Sequence, residues 1–262
     1  MPSPVKLLLP VLAIALIPAS AQWLTNPSSR VPLTIDGKPN LSAPAPKLAE
    51  GGVDLSGIWV VDDNHLQFNL MADLVKEGKG VDLLPEAAAM YKAHVDALGK
   101  DRPSGHCLPH SIPDAMLVPQ PFKIVHTPGI TLVLYEEFVE FRQIFTDGRA
   151  LPRNPSTAWF GYSIGKWEGS GTKDASFVIE SRGFNDKTWL DDDGHPHSEA
   201  LHTTERFRRS DYGHMTMEIT IDDAKTYAKP WSATLQYHLL PDTELMEFIC
   251  ENEKDGAHLV GK

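Results

Sequence analysis

The second half of the chain is a succession of short apolar segments separated by turn residues, and this pattern constrains the fold more than any other feature. Its clearest unit is a hairpin, in which Phe122–His126 and Ile130–Tyr135 flank the turn residues Thr127-Pro128-Gly129. The spacing of such segments is typical of a barrel or sandwich rather than of a parallel sheet, which needs alternating strands and helices. We therefore predict a mainly β, antiparallel barrel or sandwich. Further strands are predicted at Phe138–Phe145, Tyr162–Trp167, Ser176–Ser181, Leu201–Arg209, Met215–Ile221, Ser232–Leu239 and Glu244–Cys250.

A Gly-x-Trp sequence opens the first predicted strand. Gly57 precedes the segment Ile58–Val61, whose residue types are favoured in strands. This start resembles that of lipocalin-like (calycin-like) barrels, in which the Trp plugs the closed end. The resemblance implies a barrel of that kind, with Trp59 at its plugged end.

One helix is predicted near the N-terminus, at about Pro85–Leu98. Pro85 suits the first helical position, and Gly99 can end the helix in the left-handed conformation. Apolar residues at helical spacing predict one buried face. That face comprises Leu84, Ala88, Tyr91, Val95 and Leu98.

The first 21 residues have the composition of a secretory signal peptide. Lys6 precedes the apolar run Leu7–Ile17, and Ala19-Ser20-Ala21 offers the small residues that signal peptidase accepts. The run is about half of the ~20 residues that a membrane helix needs. We predict a signal peptide over residues 1–21, an extended arm over 22–52 and a single β-rich domain over 53–262. The mature chain is predicted to lack a membrane span and to be exported to the periplasm or the medium.

The chain is acidic, with a formal net charge of −11 at pH 7. Nucleic-acid binding relies on clustered Lys and Arg. The densest basic cluster, Arg206, Arg208 and Arg209, is bracketed by acidic residues and predicts a solvated strand edge. We predict a small-molecule partner and no nucleic acid.

The chain has two cysteines, Cys107 and Cys250. In an oxidising compartment a single pair predicts one disulfide. Two buried free thiols are the alternative.

Four motifs occur in order along the β region: Arg142–Arg149 (Arg-x-Ile-x-x-Asp-Gly-Arg), Gly161–Gly169 (Gly-Tyr-Ser-x-Gly-x-Trp-Glu-Gly), Gly183–Asp191 (Gly-Phe-Asn-x-x-Thr-Trp-Leu-Asp) and Gly194–Phe207 (with Pro-His-Ser-Glu-x-Leu-His and Glu-Arg-Phe). The combination resembles an uncharacterised family of secreted bacterial proteins, over roughly residues 54–253. The chain departs from that family after Gly169, where the turn is longer. The resemblance implies a β domain with a shared polar site.

The densest set of chemically capable side chains follows Asp186. His195, His197 and Glu199 are spaced two apart, so in an extended segment they would project from one face and could bind a divalent metal. His202 and Glu205 lie close behind. The alternatives are proton transfer without a metal and an exposed turn without catalytic role, which Pro196 favours.

Two further groups are candidates for binding a substrate. Arg142 and Arg149 could contact an anionic or carbonyl group, although an arginine–carboxylate lock around Asp147 is the preferred interpretation. Aromatic residues can stack on sugars or planar rings. The predicted substrate-binding residues are Trp189, Tyr162, Trp167, Arg142, Asp186 and Asp191.

The predicted function is that of an exported enzyme acting on a small organic molecule, a sugar derivative or an aromatic compound. Its lyase, isomerase or hydrolase chemistry would use His197 or His202 as base and Glu199 or Glu205 as partner, with Arg149 stabilising negative charge. A bound divalent metal is a variant of this hypothesis. The alternative is a non-catalytic, lipocalin-like binding protein.

Overall fold

The computed structural model describes residues 31–49, 51–62 and 65–250, and within them the chain forms one closed β-barrel of nine strands. Each strand pairs with its neighbour in sequence, and the last strand pairs with the first. This confirms the prediction of a mainly β, lipocalin-like barrel. The strands are β1 (Gly57–Val61), β2 (Phe122–Thr127), β3 (Ile130–Tyr135), β4 (Phe141–Phe145), β5 (Tyr162–Glu168), β6 (Ser176–Arg182), β7 (His202–Arg209), β8 (His214–Asp222) and β9 (Trp231–Leu239).

The strand pairs of this described barrel are antiparallel except for β4 and β5, which run parallel. A parallel pair needs a connection that returns along the barrel, and residues 146–161 provide it. The parallel pairing is short, with Ile144 opposite Ser163 and Phe145 opposite Ile164. The pairing of β4 with β5 is therefore a weak point in the wall of the barrel.

The two ends of the barrel differ. At one end, which we call the plugged end, Trp59 is fully buried and its indole N–H donates to the Leu55 carbonyl at 2.9 Å. The Arg209 guanidinium lies 4.8 Å from the Trp59 ring and donates to the carbonyls of Asp54 and Tyr212. Arg209 is thus buried, and the prediction that it lies on a solvated edge is wrong because strand alternation points it inward. The opposite end, the loop end, carries the long connections 62–121 and 183–201.

The barrel interior is filled by side chains. The segment His110–Val118 is buried at the loop end and includes a short 3₁₀ turn, Asp114–Met116. The Tyr237 hydroxyl donates to the Met116 carbonyl at 3.2 Å, which fixes this segment. The interior cavity beneath Met116 has a volume of about 10 Å³, room for one water molecule at most. The interior is therefore a packed core.

The helices of the described residues all lie in the connection between β1 and β2. They are α1 (His65–Phe68), α2 (Ala72–Lys76) and α3 (Pro85–Asp96), and a second 3₁₀ turn covers Pro103–His106. The predicted apolar face of α3 is buried only in part, since Leu84 and Tyr91 are half-buried but Val95 and Leu98 are 41% and 84% exposed. Ala87 and His94, which the prediction did not include, pack as well, and Tyr91 and His94 make polar contacts that apolar periodicity does not detect.

Residues 244–250 do not form a strand. The predicted strand Glu244–Cys250 makes an isolated bridge from Phe248 to Glu137 and ends in a disulfide between Cys250 and Cys107. The disulfide prediction is confirmed. β4 begins at Phe141 rather than at Phe138, because Phe138 and Val139 adopt positive φ angles of 62° and 55° that no strand allows.

The predicted signal peptide lies outside the described residues, so export and the domain boundaries stay predictions. Within the described part of the arm, the carbonyls of Leu41 and Ala43 accept hydrogen bonds from Gly213 and Tyr212 in the β7–β8 turn. No helix among the described residues is long and apolar enough to cross a membrane.

Candidate functional site

The loop between β6 and β7 does not form the strand that the metal hypothesis requires. Residues 195–199 are irregular, apart from a bridge between Trp189 and Pro196. His195 and His197 are buried with different partners, whereas Glu199 is exposed. Among the residues that the structure describes, no three His, Cys, Asp or Glu side chains are placed to hold a metal ion. The one-face arrangement predicted for His195, His197 and Glu199 is therefore wrong, because Pro196 and the Gly194 turn break the alternation.

His195 forms a buried pair with Asp191. The imidazole Nδ1 lies 2.7 Å from the Asp191 carboxylate, which also accepts the backbone N–H groups of Leu70 and His195. Tyr91 of α3 stacks on His195 with ring centroids 4.3 Å apart, and its hydroxyl donates to Asp193 at 2.5 Å. Helix α3 covers this pair, so Asp191 and His195 organise the loop and hold the helix.

Trp189 and His197 are likewise buried. Trp189 stacks on His94 of α3 at 4.3 Å, and His94 Nδ1 donates to the Gly194 carbonyl at 2.7 Å. His197 Nε2 lies 2.8 Å from the Thr188 hydroxyl, and burial lowers the pKa of this imidazole. These two predicted site residues thus serve as contacts between the loop, the helix and the barrel end.

Glu205 lies inside the barrel, where it forms a bidentate ion pair with Arg142. The Arg142 Nη2 and Nη1 atoms donate to its two carboxylate oxygens at 2.5 and 3.0 Å. Both side chains are essentially inaccessible. Arg142 also donates to the hydroxyls of Ser163 and Ser181. Burial alone would lower the pKa of Arg142, but the Glu205 carboxylate more than offsets this and keeps the guanidinium charged. Glu205 is therefore a fixed counter-ion and not the proton-transfer partner that the sequence suggested.

A second buried group of charges links the loop end to the β3–β4 turn. The Arg102 guanidinium lies 2.5 Å from the Asp192 carboxylate. Burial raises the pKa of Asp192 to about 6, although Arg102 acts in the opposite direction. Burial alone would lower the pKa of His110, but Asp114 at 2.6 Å and then Glu137 raise it to about 10. Glu140 nearby has a pKa of about 7, raised mainly by burial.

Replacing Glu140 by glutamine is expected to flatten the pH dependence of stability. A carboxyl group whose pKa rises on folding stabilises the folded state below its ordinary pKa and loses that contribution as pH rises through its folded pKa. For Glu140 this window runs from 4.5 to about 7. Urea unfolding at pH 4.5 and pH 7 should show a smaller loss of free energy for Glu140→Gln than for the wild type. Exposed Glu86→Gln should keep the wild-type difference, and an identical slope in all three proteins would contradict the assignment.

The remaining predicted residues are spread over the surface. Trp167 packs at the plugged end, where its indole N–H donates to the Val53 carbonyl, and Asp186 is exposed. Arg149 is exposed and pairs with Asp147, as the preferred interpretation of this turn expected. Arg149 also donates to the Tyr162 hydroxyl at 3.1 Å. Tyr162 borders a crevice between β4 and β5 that reaches down to Arg142.

Two of the predicted catalytic residues, Glu199 and His202, do share a surface groove of about 410 Å³ at the loop end. His202 begins β7 and lies on its outer face, opposite Arg182 on one neighbouring strand and Asp222 on the other. Cross-strand partners of this kind are close neighbours. Arg153, from the β4–β5 connection, completes the lining.

The imidazole of His202 is suited to accept a proton. Its side chain is 24% exposed, whereas its Nε2 is buried, lies 4.0 Å from the Glu180 carboxylate and makes no hydrogen bond within the described part of the chain. Burial and then the neighbouring Arg182 lower its pKa, so the ring is neutral near pH 7. Among the described residues, neither Arg153 nor Arg182 has an ion-pair partner. Arg153 is exposed, whereas Arg182 is partly buried, where an unpaired guanidinium is unusual.

Sequence reasoning did not identify Arg153, Arg182 and Asp222. Arg182 and Asp222 could have been found from hairpin registers, since both stand opposite His202. Arg153 could not, because it lies in the long crossover whose course depends on the parallel pairing of β4 and β5.

Comparisons of the chain with protein-family models, with curated proteins and with solved structures found no match.

Proposed function

We propose that this protein is an exported enzyme that removes a proton from a small sugar derivative carrying a carboxylate, in the groove around His202. The observation that carries the proposal is the placement of the His202 imidazole between Arg182 and Asp222 in the lining of an open groove. The two guanidiniums, Arg153 and Arg182, are free of other ion pairs among the described residues and are suited to bind a carboxylate.

The chemistry follows from these roles. Paired with a guanidinium, a carboxylate is less electron-rich, and the hydrogen on the adjacent carbon becomes more acidic. The imidazole of His202 takes that proton, the C–H electrons form a carbon–carbon double bond, and the group on the next carbon leaves with the electrons of its own bond. The leaving oxygen takes a proton from solvent water beside Glu199 in the open groove. A positioned base or acid of this kind contributes ~10²–10⁴-fold to a rate.

The lipocalin-like carrier remains the competing proposal. Carriers of that type hold a ligand inside the barrel, and here the interior cavity beneath Met116 is about 10 Å³. Such a volume is far below the ~300 Å³ of the smallest usual ligand sites. The filled interior therefore favours the external groove.

The test uses oligosaccharides of 4-linked uronic acids, in which a glycosidic oxygen stands on the carbon next to the acidic C–H. The wild-type protein is expected to generate the ultraviolet absorbance of an unsaturated uronic acid. His202→Gln should lose ~10²-fold or more of this rate, whereas His214→Gln, an exposed histidine at the far end of the barrel, should keep it. Arg182→Gln should mainly raise KM.

Binding of the uronic acid without any double-bond formation would instead support the carrier. The same reaction rate in His202→Gln and the wild type would remove His202 from the mechanism.

A further inference from the structure

The crevice between β4 and β5 is a second site, separate from the His202 groove, and its origin lies in the strand topology. The parallel strands β4 and β5 are paired at only two positions, and on the loop-end side of these positions they separate. They separate there because β4 follows a hairpin and β5 follows the crossover. The gap has a volume of about 410 Å³. This falls in the range of ~300–1,000 Å³ that small-molecule sites occupy.

The walls of the crevice are aromatic. Phe145 and Tyr162 stack with centroids 5.2 Å apart, and Phe160 is held against Tyr135 at the same distance. Trp159 is partly exposed, and Phe141 is 58% exposed. Leaving so much of a Phe side chain in water forgoes part of the stabilisation that burial gives, roughly 25 cal/mol per Å². A ligand that covers Phe141 recovers that contribution.

The polar groups of the crevice are arranged so that no net charge is left for a ligand. The guanidinium at its base, Arg142, is neutralised by Glu205 and hydrogen-bonded to Ser163. The guanidinium at its rim, Arg149, lies 3.9 Å over the Phe145 ring and is neutralised by Asp147. Hydroxyl, amide and N–H groups are left for hydrogen bonding, among them Gln143. The His202 groove differs, since its guanidiniums have no such partners within the described chain.

We propose that this crevice binds a neutral sugar ring. A pyranose presents apolar C–H faces, which pack on aromatic rings, and an equatorial belt of hydroxyls, which needs hydrogen-bonding groups around the rim. Aromatic side chains with a polar tip, such as Tyr162, satisfy both requirements. A charged ligand would find its counter-ions already occupied, and a purely apolar one would leave the amide of Gln143 without hydrogen bonds, which is costly.

The proposal does not depend on catalysis at His202. A polysaccharide that contains both neutral and acidic sugars could use both sites, with a neutral sugar in the crevice and an acidic sugar in the groove. The crossover connects them, since residues 153–155 and 157 line the groove and residues 158–161 line the crevice. The experiment therefore measures binding to the crevice alone.

The test is a titration of the intact protein with neutral methyl glycosides (methyl glucoside, methyl galactoside and methyl mannoside), followed by saturation-transfer NMR and by the indole N–H signal of Trp159. At least one glycoside is expected to bind and to shift that signal. Phe141→Ala and Trp159→Ala should each weaken binding by about tenfold, the equivalent of one aromatic contact. Phe68→Ala, a change to another exposed Phe on α1, and His202→Gln should leave the affinity unchanged.

The proposal would be overturned if no glycoside binds, or if glycosides bind equally well to Phe141→Ala and the wild type. It would also be overturned if indole or phenol binds the crevice and the glycosides do not, since an aromatic ligand would then be its occupant. Circular dichroism of each variant shows that the barrel is folded, so a lost affinity can be assigned to the crevice.

Discussion

Changing Glu205 to glutamine is expected to lower the free energy of unfolding by about 3–5 kcal/mol, because it leaves the Arg142 guanidinium charged and without a counter-ion inside the barrel. The two side chains are 0% and 2% exposed, so water cannot take over the role of the carboxylate. Glutamine preserves the size of the side chain and one acceptor, which restricts the change to the charge. Urea unfolding at pH 7, followed by circular dichroism, measures the effect.

Two companion variants separate charge from packing. The double change Arg142→Met with Glu205→Leu removes both charges together and is expected to cost much less than Glu205→Gln, because no unpaired ion remains. Arg149→Gln removes an exposed ion pair with Asp147 in the connection between β4 and β5, and it should leave the midpoint of unfolding unchanged. If Glu205→Gln unfolds at the wild-type urea concentration, the pair does not carry the stability assigned to it.

The buried pair also explains why a partly polar barrel interior is compatible with a packed core. Arg142 and Glu205 reach toward each other from β4 and β7, and Ser163 and Ser181 on β5 and β6 supply the remaining hydrogen bonds. Four adjacent strands are thus joined across the interior. This network lies behind the parallel β4–β5 pair, which has the fewest paired residues among the described strand pairs.

Much of the fold could be predicted because its determinants are local. The hairpin of β2 and β3 follows from alternating apolar residues around Thr127-Pro128-Gly129, and the observed strands differ from the prediction by one residue at most. The sequence of Glu244–Cys250 has similar apolar content but forms no ladder. Its place is determined by a disulfide and by contacts with Phe138, which are not local in sequence.

The candidate site was predicted only in part, because residue type identifies chemical capability but not exposure. His197 and His202 look alike in sequence, yet the first is buried on Thr188 and the second lines a groove. The two histidines differ because the loop ends between them. Strand β7 begins at His202, and the alternation of its side chains directs that imidazole outward. His195 and Trp189 were predicted as site residues because their rings can both stack and form hydrogen bonds. The structure uses that same property for packing, since both rings stack on side chains of helix α3.

Breaking the disulfide is the other change from which we expect a large effect. Cys107 and Cys250 are separated by 143 positions, so the bond closes most of the barrel into one loop. In the chain-entropy model a loop of this length restricts the unfolded chain by about 5 kcal/mol, and losses of 2–5 kcal/mol are typical when a native disulfide is removed. Replacing both cysteines by serine should therefore lower the urea midpoint by a large fraction of its wild-type value.

The structure also indicates which part of the protein depends on the bond locally. The segment that ends at Cys250 is held by few contacts besides the disulfide, among them the hydrogen bonds from Met246 N–H to Glu136 and from Phe138 N–H to the Phe248 carbonyl. Amide hydrogen exchange in the serine variant should accelerate first at Phe138 and Met246 and only later in β7 and β8, whose ladders lie elsewhere in the barrel. Adding a thiol reductant should shift the wild type to the midpoint of the serine variant and leave the variant itself unchanged. A wild-type midpoint that does not move, although mass spectrometry shows both thiols free, would mean that the bond adds nothing to the stability of the barrel.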